Sequence, residues 1–338
     1  MKRSETPEIR LPAHAPELGR VRMTVSCKDS APIPKVPNAG EVLKEADREV
    51  QIMHNGLKVE KGGYYGEWMS EIIRILRGHH EPQEEKAFYE ILKQIPPNAT
   101  MLEVGGFWAY YSLWFRKGGS CRRNFIIEPD PQFIEVGKRN FALNGWGASF
   151  AQGFMSNQSR SNVPFRCESD GVTRLIDQIG IDDWMLENRV DFLDILHADI
   201  QGAEVSLLEG ARKALQHGKI RFVFLSTHHH SISRDPLSHQ KCLRILEDFG
   251  ANILAEHSVP ESYSGDGLIV AAMLKSDAEL PSIELTHNRA STSLFRELEY
   301  DFADLIAQHQ AIRSSRVWKI ASPLRRVVGR VNQVLGRV

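Results

Sequence analysis

Residues 100–116, TMLEVGGFWAYYSLWFR, decide the fold. Thr100 to Val104 is a short apolar run carrying one acid, Glu103, and it closes on Gly105-Gly106. Helical spacing then sets in from Ala109 to Arg116, so the stretch reads as a buried strand, a tight turn and a helix. Working outward, Phe125-Ile126-Ile127 is a second strand, ended by Glu128-Pro129-Asp130-Pro131. A helix through Phe133, Val136 and Phe141 stops at Asn144-Gly145. Ser149 to Ala151 is a weak third strand, Val190 to Leu196 a strong fourth with the helix AEVSLLEGARKAL behind it, and Arg221 to Leu225 a fifth. A helix over 236–249 ends at Gly250, and 251–256 and 267–274 read as two closing strands with no helix between them. The predicted fold is therefore α/β, a mainly parallel sheet with an antiparallel last strand and helices on both faces.

The flanks read differently. Residues 1–45 carry Pro7, Pro12, Pro16, Pro32, Pro34 and Pro37 with little periodicity, and are expected to be an extended or disordered arm. Within 46–98, Asn55-Gly56 between short β-like runs signals a hairpin, and Trp68, Ile72, Ile75 and Leu76 fall at helical spacing. A further helix follows HHEPQEE and is stopped by Pro96-Pro97. The sheet domain spans 99–275 and a helical basic tail 276–338. That tail holds Leu294, Leu298, Phe302, Leu305 and Ile306 at helical spacing, then Arg313, Arg316, Lys319, Arg325, Arg326, Arg330 and Arg337. It suits a solvated helix or a homo-oligomer contact, or a peripheral docking surface for anionic lipid or a lipid-linked saccharide.

A formal net charge of -1 over 338 residues argues against nucleic acid as a partner of the whole surface. The four cysteines, Cys27, Cys121, Cys167 and Cys242, show no C-x-x-C spacing and suggest a reducing compartment. The polar, proline-bearing start lacks an apolar core of the secretory kind, and nowhere does an apolar run reach spanning length. A cytoplasmic protein, at most peripheral at the inner membrane face, is the expectation.

On an open α/β sheet a nucleotide-like ligand sits at the carboxyl ends of the strands. Gly105 and Gly106 supply a turn that admits close backbone approach, and Glu103 an acceptor for an ammonium group. Glu128, ending the second strand, is placed to take two ribose hydroxyls. G-x-G-x-x-G is absent, and Phe107 to Tyr111 follow instead. Bulky aromatics there leave little room for a pyrophosphate and suit a cofactor without phosphates, such as S-adenosylmethionine. Asp199 ends the fourth strand, and Glu204 opens the next helix as a dipole partner or a cofactor contact. The fifth strand ends in FVFLSTHHH, bringing His228 to the crevice rim. Alternation would turn His228 and His230 to one side and His229 to the other. His228 beside Asp199 is a candidate general base for a hydroxyl, or the two share a divalent metal such as Mg. His79-His80-Glu81 lacks the H-E-x-x-H spacing of a zinc protease. With Pro82, Glu84 and Glu85 it is either a helix start or a flap over the site. Tyr64, Tyr65 and Trp68 are ordinary packing or a platform for a sugar face.

The strings EVGGFWAYYSLWF, IIEPDP and HADIQGAEVSLLEGA, in this order and spacing, resemble the FkbM family of S-adenosylmethionine-dependent O-methyltransferases over residues 80–275. The resemblance implies a Rossmann-like class I methyltransferase sheet with N-terminal and C-terminal helical extensions. It implies that Glu103, Gly105 and Gly106 hold the methionine end of the cofactor, that Glu128 holds its ribose, and that Gly153 and Phe154 lie near adenine. Asp199 would face the reacting methyl. Two positions depart from the family pattern. Ala109 replaces its third loop glycine, which should narrow the pocket, and Gln201 replaces a glutamate. The tail SSRVWKIASPLRR, with Trp318, Lys319, Pro323, Leu324 and Arg325, resembles tails of bacterial proteins that build surface polysaccharides, so a glycan or glycolipid acceptor is implied. The competing readings are an NAD-dependent oxidoreductase and a catalytically inactive scaffold in polysaccharide assembly.

Overall fold

The structure, a computed structural model, describes residues 8–45, 47–288, 296–315 and 318, with 296–304 described by backbone alone. The chain divides into two compact units, Met1–Arg289 and Ala290–Val338.

In the first unit, helix α1 (Leu18–Ser26) precedes a small antiparallel sheet of β1 (Val42–Glu45), β2 (Arg48–Ile52) and β3 (Lys58–Glu60). Within the first 45 residues, expected to be an extended or disordered arm, the described stretch forms a helix and a strand. Val21 and Val25, one helical turn apart, bury one stripe of α1 in the core, which is enough to hold it. The Asn55-Gly56 hairpin forms as read, with Gly56 at φ +82°. Helices α2 (Glu67–Ile75) and α3 (Pro82–Leu92) follow.

The main sheet then begins with β4 (Thr100–Val104), helix α4 (Tyr110–Lys117), β5 (Arg123–Glu128), helix α5 (Pro131–Leu143) and β6 (Phe150–Met155). A hairpin of β7 (Arg160–Arg166) and β8 (Thr173–Ile179), absent from the sequence reading, comes next, with helix α6 (Ile181–Glu187). The remainder is β9 (Leu193–Asp199), α7 (Glu204–Gly210), α8 (Arg212–Gln216), β10 (Ile220–Thr227), α9 (His230–Ser233), α10 (Ser238–Asp248), β11 (Asn252–His257) and β12 (Gly267–Ala272). The nine strands are ordered β11-β12-β10-β9-β4-β5-β6-β8-β7. The chain enters at the middle, runs parallel outward to β6, returns through β9 and β10, and inserts β12 antiparallel between β10 and β11.

Side chains along the central strands alternate between two cores, as a sheet covered on both faces requires. Met101, Ile195, Phe222 and Phe224 point to the face covered by α3, α4 and the N-terminal elements. Leu102, Leu196, Val223 and Leu225 point to the other, where Trp184, Leu207 and Leu246 meet them. Residues 276–288 run back over the first unit, with the Ile283 amide donating to the Leu254 carbonyl at 2.6 Å.

The second unit contains helix α11 (Arg296–Ser314). Leu305, Ile306 and Ile312 are exposed on it. Leu294, Arg316, Lys319, Pro323, Leu324, Arg325, Arg326, Arg330 and Arg337, which carry most of the basic-tail reading, lie outside the described residues. Among the described residues no helix is long and apolar enough to cross a membrane.

Candidate functional site

The carboxyl ends of β4, β5, β6 and β9 meet around one cavity of about 270 Å³. It is lined by Glu103, Gly105, Gly106, Glu128, Gly153, Phe154 and Asp199, which are seven of the eight residues singled out in the sequence. Gly105 shows why the turn must be glycine. At φ +75°, a Cβ on it would lie 1.7 Å from the Asp199 carbonyl oxygen, so any side chain would drive β4 away from β9. Ala109 also sits at positive φ, +60°, and is fully buried at the start of α4. Its methyl is not part of the cavity wall among the described residues, so the departure from glycine acts on the backbone and does not narrow the pocket.

Glu103 and Glu128 are both buried and both held by backbone amides. Glu103 Oε2 accepts the Ser112 N–H at 3.0 Å, inside the first turn of α4. Glu128 Oε2 accepts from Phe107 N–H at 3.0 Å, and Oε1 from Asp130 N–H at 2.9 Å. Burial raises Glu128 to about 8, against the lowering pull of those two amides. Burial likewise raises Glu103 to about 7, with His197 and Ser112 pulling the other way. No lysine or arginine pairs with either among the described residues, and each oxygen keeps acceptor capacity toward the cavity.

Asp199 is held otherwise. Its Oδ1 lies 3.1 Å from His228 Nε2. On the far side of that ring, Nδ1 lies 2.8 Å from Glu204 Oε1, which also accepts the Gly202 N–H at 3.0 Å. Asp266 Oδ1 is 3.6 Å from the same Nε2. Burial opposes charge on the imidazole, but Asp199, Glu204 and Asp266 overcome it and hold His228 well above its ordinary value. Burial would raise Asp199, yet His228 keeps it below the usual range. His228 is fully buried and reaches the cavity only through Asp199. The expected alternation of the three histidines does not occur, because β10 ends at Thr227. His229 caps α9 and His230 begins it.

The HHEPQEE segment starts α3 and also lines the cavity. Pro82 opens the helix while His80, Glu81 and Glu84 form cavity wall. Glu84 joins His197 Nε2 at 2.7 Å and Ser226 Oγ at 2.9 Å. Glu81 accepts from Tyr111 Oη at 3.2 Å and lies 3.1 Å from His80 Nε2. His80 is raised to about 10, burial being outweighed by Glu81 and Glu85. Deeper still, His54, His79 and Glu85 bring ligand-type atoms together. The His54 and His79 rings stack at 4.3 Å and 13°, however, so no single ion lies in both ring planes, and Glu85 already accepts from the His80 and Glu81 amides.

Aromatic walls complete the cavity. Phe107 stacks on Phe133, Phe154 on Phe165 at 4.9 Å, and Tyr64 on Trp108 at 4.6 Å and 5°. Phe165 and Glu168 come from the unread hairpin and its turn, and Phe133 from α5, whose periodicity marked it only as a helix residue.

A parallel sheet opened at its middle strand, with an antiparallel strand inserted last and an acidic, aromatic crevice over the glycine turn, is a Rossmann-like fold of the class I methyltransferase type. Residues 95–253 match the sequence model of the Methyltransferase FkbM domain, so this stretch of the chain is similar to that family. No curated protein matches the sequence. Solved structures with some likeness include TrmK from M. capricolum in complex with S-adenosylhomocysteine, at 11% identity and TM-score 0.35, covering 75% of this chain and 97% of that one. An O-methyltransferase from Bacillus cereus in complex with the same product has 14% identity and TM-score 0.37, covering 56% and 78%. A putative O-methyltransferase from Klebsiella pneumoniae has 13% identity and TM-score 0.37, with the same coverages of 56% and 78%. These likenesses are loose, and the strand order itself carries the fold.

Proposed function

We propose that this protein methylates a hydroxyl oxygen, with S-adenosylmethionine as donor and a sugar of a glycan or glycolipid as acceptor. The residues present fit the cofactor. A turn that only glycine can occupy, two buried carboxylates with spare acceptor capacity, and stacked aromatic walls suit a cationic amino acid, a ribose and an adenine in turn. Glu103 with Gly105 and Gly106 would hold the methionine end, Glu128 the ribose hydroxyls, and Gly153 and Phe154 the adenine. Bound there, the cofactor supplies an electrophilic methyl on a sulfonium.

The observation that carries the reading is Asp199. One oxygen is engaged with His228 while the side chain still lines the cavity, a carboxylate kept ionised beside the space for an acceptor. It is placed to accept the proton that a hydroxyl gives up, with His228 as the positioning residue and not a base in direct contact. Alignment of the two reactants supplies most of the acceleration in such a displacement, and the base a smaller share.

The stacked pair Tyr64 and Trp108, with Tyr65 and Trp68 at 6.0 Å, suits the flat face of a sugar ring. An NAD-dependent oxidoreductase is less well supported. The helix start where a diphosphate would seat already has its Ser112 N–H taken by Glu103. A cytoplasmic protein that meets lipid-linked saccharide through its basic tail, with no nucleic-acid partner and with a homo-oligomer contact through the same tail, completes the proposal.

Mass spectrometry of cellular glycans and metabolites with the gene deleted tests it. Loss of species heavier by one methylene is expected. Unchanged glycans, together with labelling of the protein by NAD in preference to S-adenosylmethionine, would refute it.

A further inference from the structure

One wall of the cavity, made by Glu84, Glu103, Tyr111 and His197, is used only in part by the methyl-transfer reading. Parallel pairing sets Glu103 of β4 opposite His197 of β9, so their side chains leave the sheet on the same face, an acid beside an imidazole. His197 stands two residues before Asp199 and is 2% exposed. The methionine end of S-adenosylmethionine carries a carboxylate as well as an ammonium, and Glu103 answers only the ammonium.

We infer that His197 is the partner of that carboxylate, donating to it from Nδ1, with Glu84 as the residue that positions the ring. The inference rests on the cofactor reading above, and three observations carry it. First, His197 Nδ1 is buried without a hydrogen-bond partner, although the residue lines the cavity. A buried donor left unpaired is costly, and an acceptor brought by a ligand removes that cost. Second, the opposite ring nitrogen is fixed. Nε2 lies 2.7 Å from Glu84 Oε1, and the other oxygen of Glu84 accepts from Ser226 Oγ at 2.9 Å. Facing a carboxylate, Nε2 carries a proton. Burial opposes a second proton on the ring, but Glu84, Glu103 and Asp199 outweigh it and hold His197 above its ordinary value. Nδ1 is then a donor as well.

Third, the other donors at hand are already engaged. Besides His197, the basic residues that line the cavity are His80 and Arg166. His80 has Nε2 3.1 Å from Glu81 and Nδ1 2.6 Å from Glu85. Arg166 gives its Nε–H to the Gly171 carbonyl at 3.2 Å and follows Phe165, whose stack on Phe154 belongs to the adenine end. In the glycine turn, the amides of Gly105, Gly106, Phe107, Ala109 and Ser112 donate within the protein. A carboxylate brought into this cavity is costly without a donor, and His197 has one to give.

Calorimetry on the full chain with three ligands tests this. They are S-adenosylhomocysteine, its decarboxylated analogue, which keeps the ammonium, and 5′-methylthioadenosine, which has neither group. The parent protein should prefer S-adenosylhomocysteine to the decarboxylated analogue by about ten- to hundredfold, the scale of a charge-assisted hydrogen bond. His197→Gln keeps an amide toward Glu84 and leaves nothing at the Nδ1 position. It should abolish that preference, yet bind 5′-methylthioadenosine within about twofold of the parent. Should thermal melting show that His197→Gln does not fold, Glu84→Gln leaves the ring in place and removes the carboxylate behind it. That variant should cut the preference by about threefold or more. Equal weakening of all three ligands by His197→Gln, or a parent protein indifferent to the carboxylate, would overturn the role of His197 and leave the cofactor reading standing. If the parent binds none of the three, the cofactor reading falls and this inference with it.

Discussion

Two acidic ends line one cavity, built from the same side-chain chemistry, yet charged differently. Glu103, one residue before the end of β4, and Glu128, at the end of β5, are held by backbone amides, while Asp199 ends β9 and is held by an imidazole. An amide is a fixed dipole and offsets burial only in part, so the first pair rises to about 7 and about 8. An imidazolium brings a full charge, and Asp199 falls below its ordinary value in spite of burial. One end thus awaits donors that a ligand must bring, and the other keeps its charge before any ligand arrives. That division matches a binding end and a reacting end.

The largest effect is expected where the division is most directly broken. Asp199→Asn should lower turnover by about 10²- to 10⁴-fold while moving the cofactor affinity by no more than about threefold. His228→Ala should follow the same pattern, turnover falling more than cofactor binding. Isothermal titration with S-adenosylhomocysteine beside steady-state rates separates the two quantities. A cofactor affinity that falls as far as the rate would move Asp199 to the binding end.

At that binding end, Glu128→Ala should weaken the cofactor by about 1–3 kcal/mol, the loss of charge-assisted hydrogen bonds. Unchanged binding would remove Glu128 from the ribose site. The same residue gives the contrast a pH signature. In the cofactor-free fold Glu128 keeps its proton up to about 8, whereas the unfolded chain releases it near the ordinary glutamate value. Between those limits the fold binds more protons than the unfolded chain, so this group's contribution to stability declines as pH rises. A ribose diol needs the ionised carboxylate as acceptor, so cofactor affinity should rise with pH, by at most about tenfold per unit, and level off above about 8. Thermal shifts caused by S-adenosylhomocysteine at about pH 6 and about pH 8.5 check this, and a larger shift at the lower pH would contradict it.

Much of this contrast was legible in the sequence, for a physical reason. Glu103, Glu128 and Asp199 each stand at or next to the carboxyl end of a strongly apolar run, where a polar side chain has the crevice to face. Gly105 was legible because the turn admits nothing else. The β7–β8 hairpin was not. It lies at the sheet edge, and β7 reads RSNVPFR with only Val163, Phe165 and a mid-strand Pro164 to suggest pairing. Asp266 sits in SYSGDG, which reads as a turn, and only the pairing of Thr227 with Gly267 brings it to His228. Glu84 and Glu85 have the composition any helix start favours. Glu85 turns back on His79 and His80 within its own segment, but the burial of Glu84 against His197 depends on a contact made far along the chain.

The smallest predicted effect concerns the residue between the two ends. Gln201 lines the cavity where the family pattern has glutamate, and it is exposed, so its substitution disturbs little packing. Gln201→Glu adds a negative charge on the Asp199 side. A sulfonium feels that charge and a thioether does not, so S-adenosylmethionine should gain over S-adenosylhomocysteine by about two- to fivefold, the scale of an exposed ion pair. Salt should erase the gain, because exposed pairs are screened within about 8 Å at physiological ionic strength. Titration of both ligands at low and high salt reads the difference. Equal shifts for the two, or a salt-independent one, would mean that the sulfonium does not lie toward Asp199, and the binding and reacting ends would have to be exchanged.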